Sequence, residues 1–256
     1  MDYVEMEKLI YSLVSVKNNR EALNVLLADM KGISGVDLFV VATDEVAAVV
    51  SDFDRSGFTT DRAMAIEYAG LIEIMAQQFT LLPVRFGSVM ESSDKIHKML
   101  ERNYHDIQQN LQKVDNKCEF GLKILCDPEK IMADLKGKTE AIININGTPS
   151  GENKNSVFRE WVNKKLQEHR LEEMMITFVD SVIAALTIPL DRLNTISKFK
   201  KMATAITIID AVFLLDKEKK KSLIQSVEEI QKQFPGLNFL LTGPWPPYNF
   251  VEIVLK

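Results

Sequence analysis

The sequence is poor in cysteine and histidine, with two cysteines and three histidines among 256 residues. Cys118 and Cys126 are too few for a disulfide framework, and they fit reduced core thiols better than a bridge. His97 and His105 are eight residues apart, too far for chelation within one helix, and His169 has no metal-spaced partner. The sequence therefore predicts neither a metal site nor a cofactor.

Long apolar runs are also missing, and the densest basic patch, Lys217 with Lys219-Lys220-Lys221, fits a solvated helix face better than a phosphate-binding patch. Residues 174–190 are interrupted by Asp180 and end at Pro189, short of the ~20 clean residues that a bilayer needs. Residues 1–5 lack the basic start and apolar core of a signal peptide. The net charge is −5, which argues against binding to nucleic acid. We expect a cytoplasmic protein with no membrane span and no nucleic-acid ligand.

Catalytic signatures are absent as well. The sequence has no G-x-S-x-G elbow, no phosphate-binding G-x-x-x-x-G-K-[ST] loop and no G-x-G-x-x-G. The adjacent carboxylates Glu172-Glu173 and Glu228-Glu229 diverge by about 100° on a helix and cannot share a substrate. No general acid–base pair can be named, so we expect a protein that is not an enzyme.

The first part of the chain predicts a β-α-β-β-α-β order. Strands are expected over residues 8–16, 36–41, 45–53 and 81–85, and helices over 21–30 and 61–79. A long helix follows, capped by Ser92 or Ser93, with an apolar stripe that suits packing along another helix. The polar run at Asp115 marks the end of a first, ferredoxin-like domain over residues 1–116.

Residues 117–256 predict a second domain with a modified ferredoxin-like plan. Strands are expected over residues 118–127, 203–215, 237–241 and 250–255, and helices over 158–186 and 223–234. Pro189 is expected to end the first of these helices, and residues 136–156 predict a variable polar loop. The predicted fold class is α+β, with two domains that each contain an antiparallel sheet with helices on one face. A long helix is predicted after the first domain.

The first informative segment is Leu81-Leu82-Pro83-Val84-Arg85-Phe86-Gly87. Because Pro83 cannot donate a ladder hydrogen bond, it belongs at a strand start or edge. Arg85 can hold backbone carbonyls or a carboxylate, so it either pins the strand to a neighbouring helix or contacts a partner. Pro83, Arg85, Phe86 and Gly87 are the candidate site residues here.

The second informative segment is the aromatic loop, which we define as Gly243-Pro244-Trp245-Pro246-Pro247-Tyr248. Three prolines fall within four residues and predict a stiff turn between two strands. A rigid loop presents its aromatics with little loss of entropy on binding, as contact surfaces often do. The alternative is that Trp245 and Tyr248 fold back to cap the core, and the sequence leaves both open.

The two segments LLPVRFGSV and LTGPWPPYNFV resemble the hallmark motifs of the gas vesicle protein F/L family (GvpF/GvpL). The resemblance extends through the helix after Gly87, the strand over 118–127 and the final strand–helix–strand. It implies a cytoplasmic accessory protein of gas vesicle formation, without enzymatic activity. Such a protein contacts the hydrophobic shell protein (GvpA class) and other vesicle accessory proteins, and can remain as a minor component of the vesicle.

Two other functions stay open at this point. A ferredoxin-like regulatory protein that senses a small ligand would share this fold, and a ligand would raise its melting temperature. An enzyme that uses Arg85 with a nearby carboxylate would need a deep polar pocket around that side chain.

Overall fold

A computed structural model describes residues 6–17, 19–57, 61–127, 129–131, 133, 156–204 and 206–251, without the side chains of 156–168. The chain divides into two compact units. The first contains Met1–Glu119 and Pro244–Lys256, and the second contains Phe120–Gly243. The sequence-based division at 116/117 assigns the final segment to the second domain, whereas the structure groups that segment with the first unit.

The first unit follows the β-α-β-β-α-β order with additions after it. The elements are β1 (Glu7–Ser15), α1 (Arg20–Ala28), β2 (Leu38–Ala42), β3 (Val46–Phe53), α2 (Arg62–Gln78), β4 (Leu81–Pro83), β5 (Val89–Met90), α3 (Ser93–Arg102) and α4 (Tyr104–Val114). The strands run in the spatial order β2-β3-β1-β4, all neighbours antiparallel, and β5 also pairs with β1. This is the ferredoxin-like order that the sequence predicts.

Local signals in the sequence place several of these elements. The side chain of Asp61 accepts the backbone N–H of Met64 at 2.9 Å and begins α2. Ser92 caps α3 in the same way, through the N–H of Lys95 at 3.2 Å. Each cap satisfies a helical N–H that has no partner within the helix.

Helices cover both faces of the first sheet. Buried residues of α1 and α2 share one core cluster with Leu9, Tyr11 and Val14 of β1. Helices α3 and α4 also contact the strands, but none of their buried residues belongs to that cluster. They therefore lie on the opposite face, and β1 is buried almost from end to end.

The prediction of one long helix after Ser92 is wrong, because α3 ends at Arg102 and α4 begins at Tyr104. Asn103 lies between them, buried, and its Nδ2 donates to the carbonyl of Met99 at 2.7 Å. A side-chain amide that competes for backbone groups favours a break in a helix.

The second unit repeats the same plan. The elements are β6 (Lys117–Cys126), α5 (Ser156–Arg192), β7 (Ile196–Lys201), β8 (Thr207–Asp216), α6 (Lys220–Gln233) and β9 (Leu237–Trp245). The strands lie in the order β7-β8-β6-β9, so β6 and β9, the first and last strands of this sheet along the chain, are neighbours, as β1 and β4 are in the first unit. The mixed α+β class with two antiparallel sheets is confirmed.

Strand β7 is missing from the sequence-based prediction, which begins its strand at Ala203. In the structure β7 pairs antiparallel with β8 from Ile196↔Leu214 to Lys201↔Ile209. Three lysines in six residues hide the period-two pattern. Lysines of this kind are typical of an edge strand that has to avoid pairing with other chains.

Pro189 does not end α5, which continues to Arg192. A proline inside a helix costs about 3 kcal/mol because it removes a hydrogen bond and crowds the preceding turn. Leu186 and Leu190 on either side of Pro189 are both buried, and we infer that their packing offsets this cost.

Part of α5, His169–Arg192, is long and apolar enough to cross a membrane by length and composition alone. Only one side of this segment packs within the second unit, and 28% of its apolar stretch is buried. Leu171, Val179 and Leu186 are buried on one side, Phe178 packs edge-on against Phe234 with ring centroids 6.2 Å apart, and Asp180 pairs with Lys201. The absence of a membrane span stays a prediction.

Two further predictions concern residues that the structure describes only in part. The polar loop over 136–156 lies outside the described residues apart from Ser156, where α5 begins. The strand over 250–255 also lies largely outside them; of its described residues, Phe250 is in a turn.

Candidate functional site

The first motif forms a short edge strand and a tight turn in the first unit. Pro83 is the last residue of β4 and pairs with Ser12 of β1, at the edge of the sheet. The N–H of Ser88 donates to the carbonyl of Arg85 at 3.1 Å. Gly87 has a φ of 81°, a conformation that glycine adopts without strain. The glycine therefore reverses the chain directly after the strand.

Arg85 and Phe86 point to different surroundings. Arg85 is exposed, and no hydrogen bond or ion pair of its guanidinium is found with any described residue. Phe86 is half-buried and packs against Tyr68 of α2, with 5.1 Å between ring centroids. The interpretation that Arg85 holds the strand to a neighbouring helix by hydrogen bonds therefore gains no support. Its role as a partner contact stays a prediction.

Tyr68 organises this motif, although the sequence analysis did not single it out. Its hydroxyl lies 2.8 Å from the carbonyl of Ile10, 3.1 Å from that of Tyr11 and 2.8 Å from that of Val84. Burial raises the pKa of the Tyr68 phenol, as do the neighbouring phenols of Tyr248 and Tyr11. The proton is therefore retained and is available to the carbonyls.

The aromatic loop is partly strand and partly turn. The strand predicted over 237–241 is too short, because β9 continues through Trp245, and the turn begins after that residue. Gly243 has a φ of 118° within this strand, which only glycine tolerates readily. After it, the N–H of Tyr248 donates to the carbonyl of Pro246 at 2.8 Å. The reversal therefore occurs at the second and third prolines.

Two polar contacts fix the segment that follows the aromatic loop. The Glu119 carboxylate, only 3% exposed, accepts the backbone N–H of Asn249 at 2.8 Å and its Nδ2 at 2.5 Å. The Lys113 ammonium donates to the carbonyl of Phe250 at 2.9 Å. Hydrogen bonds to charged groups are stronger than neutral ones, so the chain is held at Asn249 and at Phe250. Glu119 lies in the strand predicted over 118–127, and no local signal in the sequence singles out this contact.

Burial along this segment separates anchoring residues from accessible ones. Pro246, Pro247 and Phe250 are buried, whereas Trp245 is 40% exposed and Tyr248 is 41% exposed. Burial, together with the carboxylates of Glu73 and Glu119, raises the pKa of Tyr248 to about 12. Its phenol is therefore neutral at physiological pH and offers an apolar ring with one hydroxyl.

The two motifs come together only in part. Tyr248 lies close enough to Tyr68 to raise its pKa, and Tyr68 contacts Phe86, so aromatic residues link the aromatic loop to the first motif. Pro83, Gly87, Gly243 and the loop prolines shape the backbone. Trp245 and Tyr248 are the accessible aromatic residues of this region.

A polar cleft of about 390 Å³ also lies in the first unit, lined among others by Lys17, Glu45, Gln78 and Asp115. Its central carboxylate already has partners. Glu45 accepts from Gln108 Nε2 at 2.5 Å and from the Tyr104 hydroxyl at 3.1 Å, and it pairs with Lys17 at 3.4 Å. This cleft is one candidate place for the alternative of small-ligand sensing. Across the described part of the chain, no group of three His, Cys, Asp or Glu residues could hold a metal ion.

Comparison with known proteins adds to this geometry. A family model described as gas vesicle synthesis protein GvpL/GvpF matches residues 8–252. The chain is 23% identical to gas vesicle protein F1 of Halobacterium salinarum, over 88% of this chain and 86% of the relative. It is also 23% identical to gas vesicle protein L of Haloferax mediterranei, over 85% and 72%.

Solved structures show the same fold. The crystal structure of the gas vesicle protein GvpF from Anabaena sp. superposes with a TM-score of 0.75 at 19% identity, covering 98% of each chain. That of GvpF from Microcystis aeruginosa gives a TM-score of 0.73 at 18% identity, covering 97% of this chain and 100% of the other.

Proposed function

The chain belongs to the gas vesicle synthesis protein GvpL/GvpF family, and from this we propose that it binds the hydrophobic vesicle shell protein during assembly. Family membership supports a role in gas vesicle formation. The proposal extends that role to a direct, non-catalytic contact with the GvpA-class shell subunit and with other vesicle accessory proteins, in the cytoplasm. It also includes retention of the chain as a minor component of the finished vesicle.

One observation carries the proposal: Trp245 and Tyr248 are accessible while the residues around them are anchored. An apolar shell subunit exposes surface that has to be shielded before it polymerises. Large aromatics on a preorganised backbone supply contact area at little entropic cost. The clamp of Glu119 on Asn249 supplies such a backbone.

The test is the double substitution Trp245→Ala/Tyr248→Ala, assayed by pull-down of the shell protein. Loss of two central aromatics should weaken binding by at least about tenfold, with little change in melting temperature. Val25→Ala/Ile66→Ala is the matched control, since both side chains are exposed and apolar in the same unit; it should bind like the wild type.

The outcome that contradicts the proposal is full binding by the aromatic double variant. A parallel loss of binding and of melting temperature would instead assign the aromatic loop a structural role. Phe250→Ala is the reference for a structural effect. Phe250 is fully buried, so its truncation should lower the melting temperature.

A further inference from the structure

The second sheet has two very different edges. β7 forms one edge and β9 the other. Lys198, Lys200 and Lys201 place charges along β7, a common way of preventing the addition of another strand. Residues 237–250, which include all of β9, contain no Asp, Glu, Lys or Arg. The second edge therefore lacks the protection that the first one has.

Strand β9 has the geometry of an open edge. No strand beyond it is found in the described part of the sheet, so one side of its backbone has no ladder partner there. Asn238, Leu240 and Thr242 are exposed in alternation with less exposed neighbours, and Leu240 is 49% exposed. Pro244 has no N–H, so the stretch suitable for pairing runs from Leu237 to Gly243.

A cleft lies beside this strand, on the side of α6. It measures about 380 Å³ and is lined by Glu228, Gln231 and Lys232 of α6 with Pro235 and Leu237. Side chains of a strand alternate between the two faces of the sheet. A side chain of an added strand that lies opposite Leu237 would therefore be next to this cleft. Recognition by strand addition uses a combination of main-chain hydrogen bonds and alternate side-chain pockets.

We propose that an extended, uncharged, apolar segment of a partner adds to β9 as a further strand along Leu237–Gly243, next to the cleft beside α6. The inference rests on the proposed function, and the occupant is a segment of the shell subunit. An uncharged edge matches an apolar segment, because neither strand then has to desolvate a charge on pairing. The lysines of β7 would impose that penalty at the other edge.

The test compares Leu240→Lys on β9 with Ile196→Lys on β7. The two side chains are similarly exposed, at 49% and 43%, and each variant adds one lysine to an edge strand. Leu240→Lys should weaken pull-down of the shell protein about tenfold, whereas Ile196→Lys should bind like the wild type. Equal binding by both variants, or an equal loss in both, overturns the proposal.

Hydrogen–deuterium exchange of the wild-type protein gives a second readout that does not depend on a variant folding. The amides of residues 238–243 that face away from β6 should exchange at least about tenfold more slowly with shell protein bound, because paired amides are protected. Unchanged exchange overturns the proposal. Slowing that depends on the concentration of this chain alone also overturns it, since the occupant would be a second copy.

These outcomes separate the two proposals. If the Trp245/Tyr248 variant loses binding and Leu240→Lys does not, the aromatic loop is the contact and strand addition is excluded. If the wild-type protein does not bind the shell protein at all, both proposals fail.

Discussion

The two units share one strand order but bury their sheets differently. In the first unit, β1 and β3 are almost continuously buried, with α1 and α2 on one face and α3 and α4 on the other. In the second unit, Lys123 on β6 is exposed, and Asp210 and Val212 on β8 are half-buried. A shared topology can therefore carry a fully packed core in one unit and an accessible sheet surface in the other.

This difference is visible in the sequence. Residues 8–16 form a nearly continuous apolar run, as expected for a strand that is covered on both faces. Residues 118–127 alternate, as expected for a strand with one accessible face. We infer that the first unit provides most of the core stability and that the second offers more strand surface for contacts.

Truncation of a strand side chain in each unit should give the largest difference. Leu13 of β1 is buried, so Leu13→Ala should reduce the free energy of unfolding by about 2–5 kcal/mol through lost burial and a new cavity. Val212→Ala should cost less than about 1 kcal/mol, because its side chain is already partly hydrated. Urea denaturation measures both, and equal losses would contradict the comparison.

Removal of the Tyr68 hydroxyl should have a smaller effect. Tyr68→Phe keeps the stacked ring, 5.2 Å from Tyr11 between centroids, but leaves the carbonyls of Ile10 and Val84 without this donor. The expected loss is about 1–3 kcal/mol. Tyr248→Phe is the control, since that residue is more exposed, and should cost less. A Tyr68→Phe protein as stable as the wild type would show that water replaces the hydroxyl.

Mild alkali should cause the smallest loss of folding stability, and this loss should occur in the first unit. All five tyrosines of the chain fall within its bounds, and burial raises the pKa of both Tyr68 and Tyr248, the latter to about 12. A phenol whose folded pKa is raised stabilises the fold below its unfolded pKa of about 10, and this stability is lost as pH rises toward the folded value.

Near pH 9.5 only about a quarter of unfolded phenols are ionised. The loss of folding stability should therefore be smaller than that caused by Leu13→Ala or Tyr68→Phe. Hydrogen exchange should quicken in residues 7–15 before residues 207–216. Tyr248→Phe should remove part of this pH dependence. A faster response in the second unit would contradict the assignment to tyrosine.

Periodicity predicted the fold where burial follows a regular pattern. The hairpin between β2 and β3, the helix after Asp61 and the cap at Ser92 all follow from local signals. Local signals failed where tertiary packing or the protection of a sheet edge determines the secondary structure. The lysines of β7 mask a strand, and a helix passes Pro189 between two buried leucines.

The candidate site was only half visible in the sequence. Proline and aromatic spacing identified the aromatic loop, because stiffness is a local property. The anchors were not visible, since Glu119 meets Asn249 across 130 residues and Tyr68 looks like an ordinary position in an apolar helix. Long-range polar contacts leave no periodic trace, and a buried carboxylate on an alternating strand is read as exposed.

The grouping of Pro244–Lys256 with Met1–Glu119 has a consequence for biosynthesis. Chains fold as they emerge from the ribosome, with N-terminal domains generally first. Here the second unit is an insertion within the first, and the buried Phe250 is translated after it. The first unit can therefore finish folding only after the whole second unit has emerged. The second unit can finish folding before it, although most of the first unit is translated earlier.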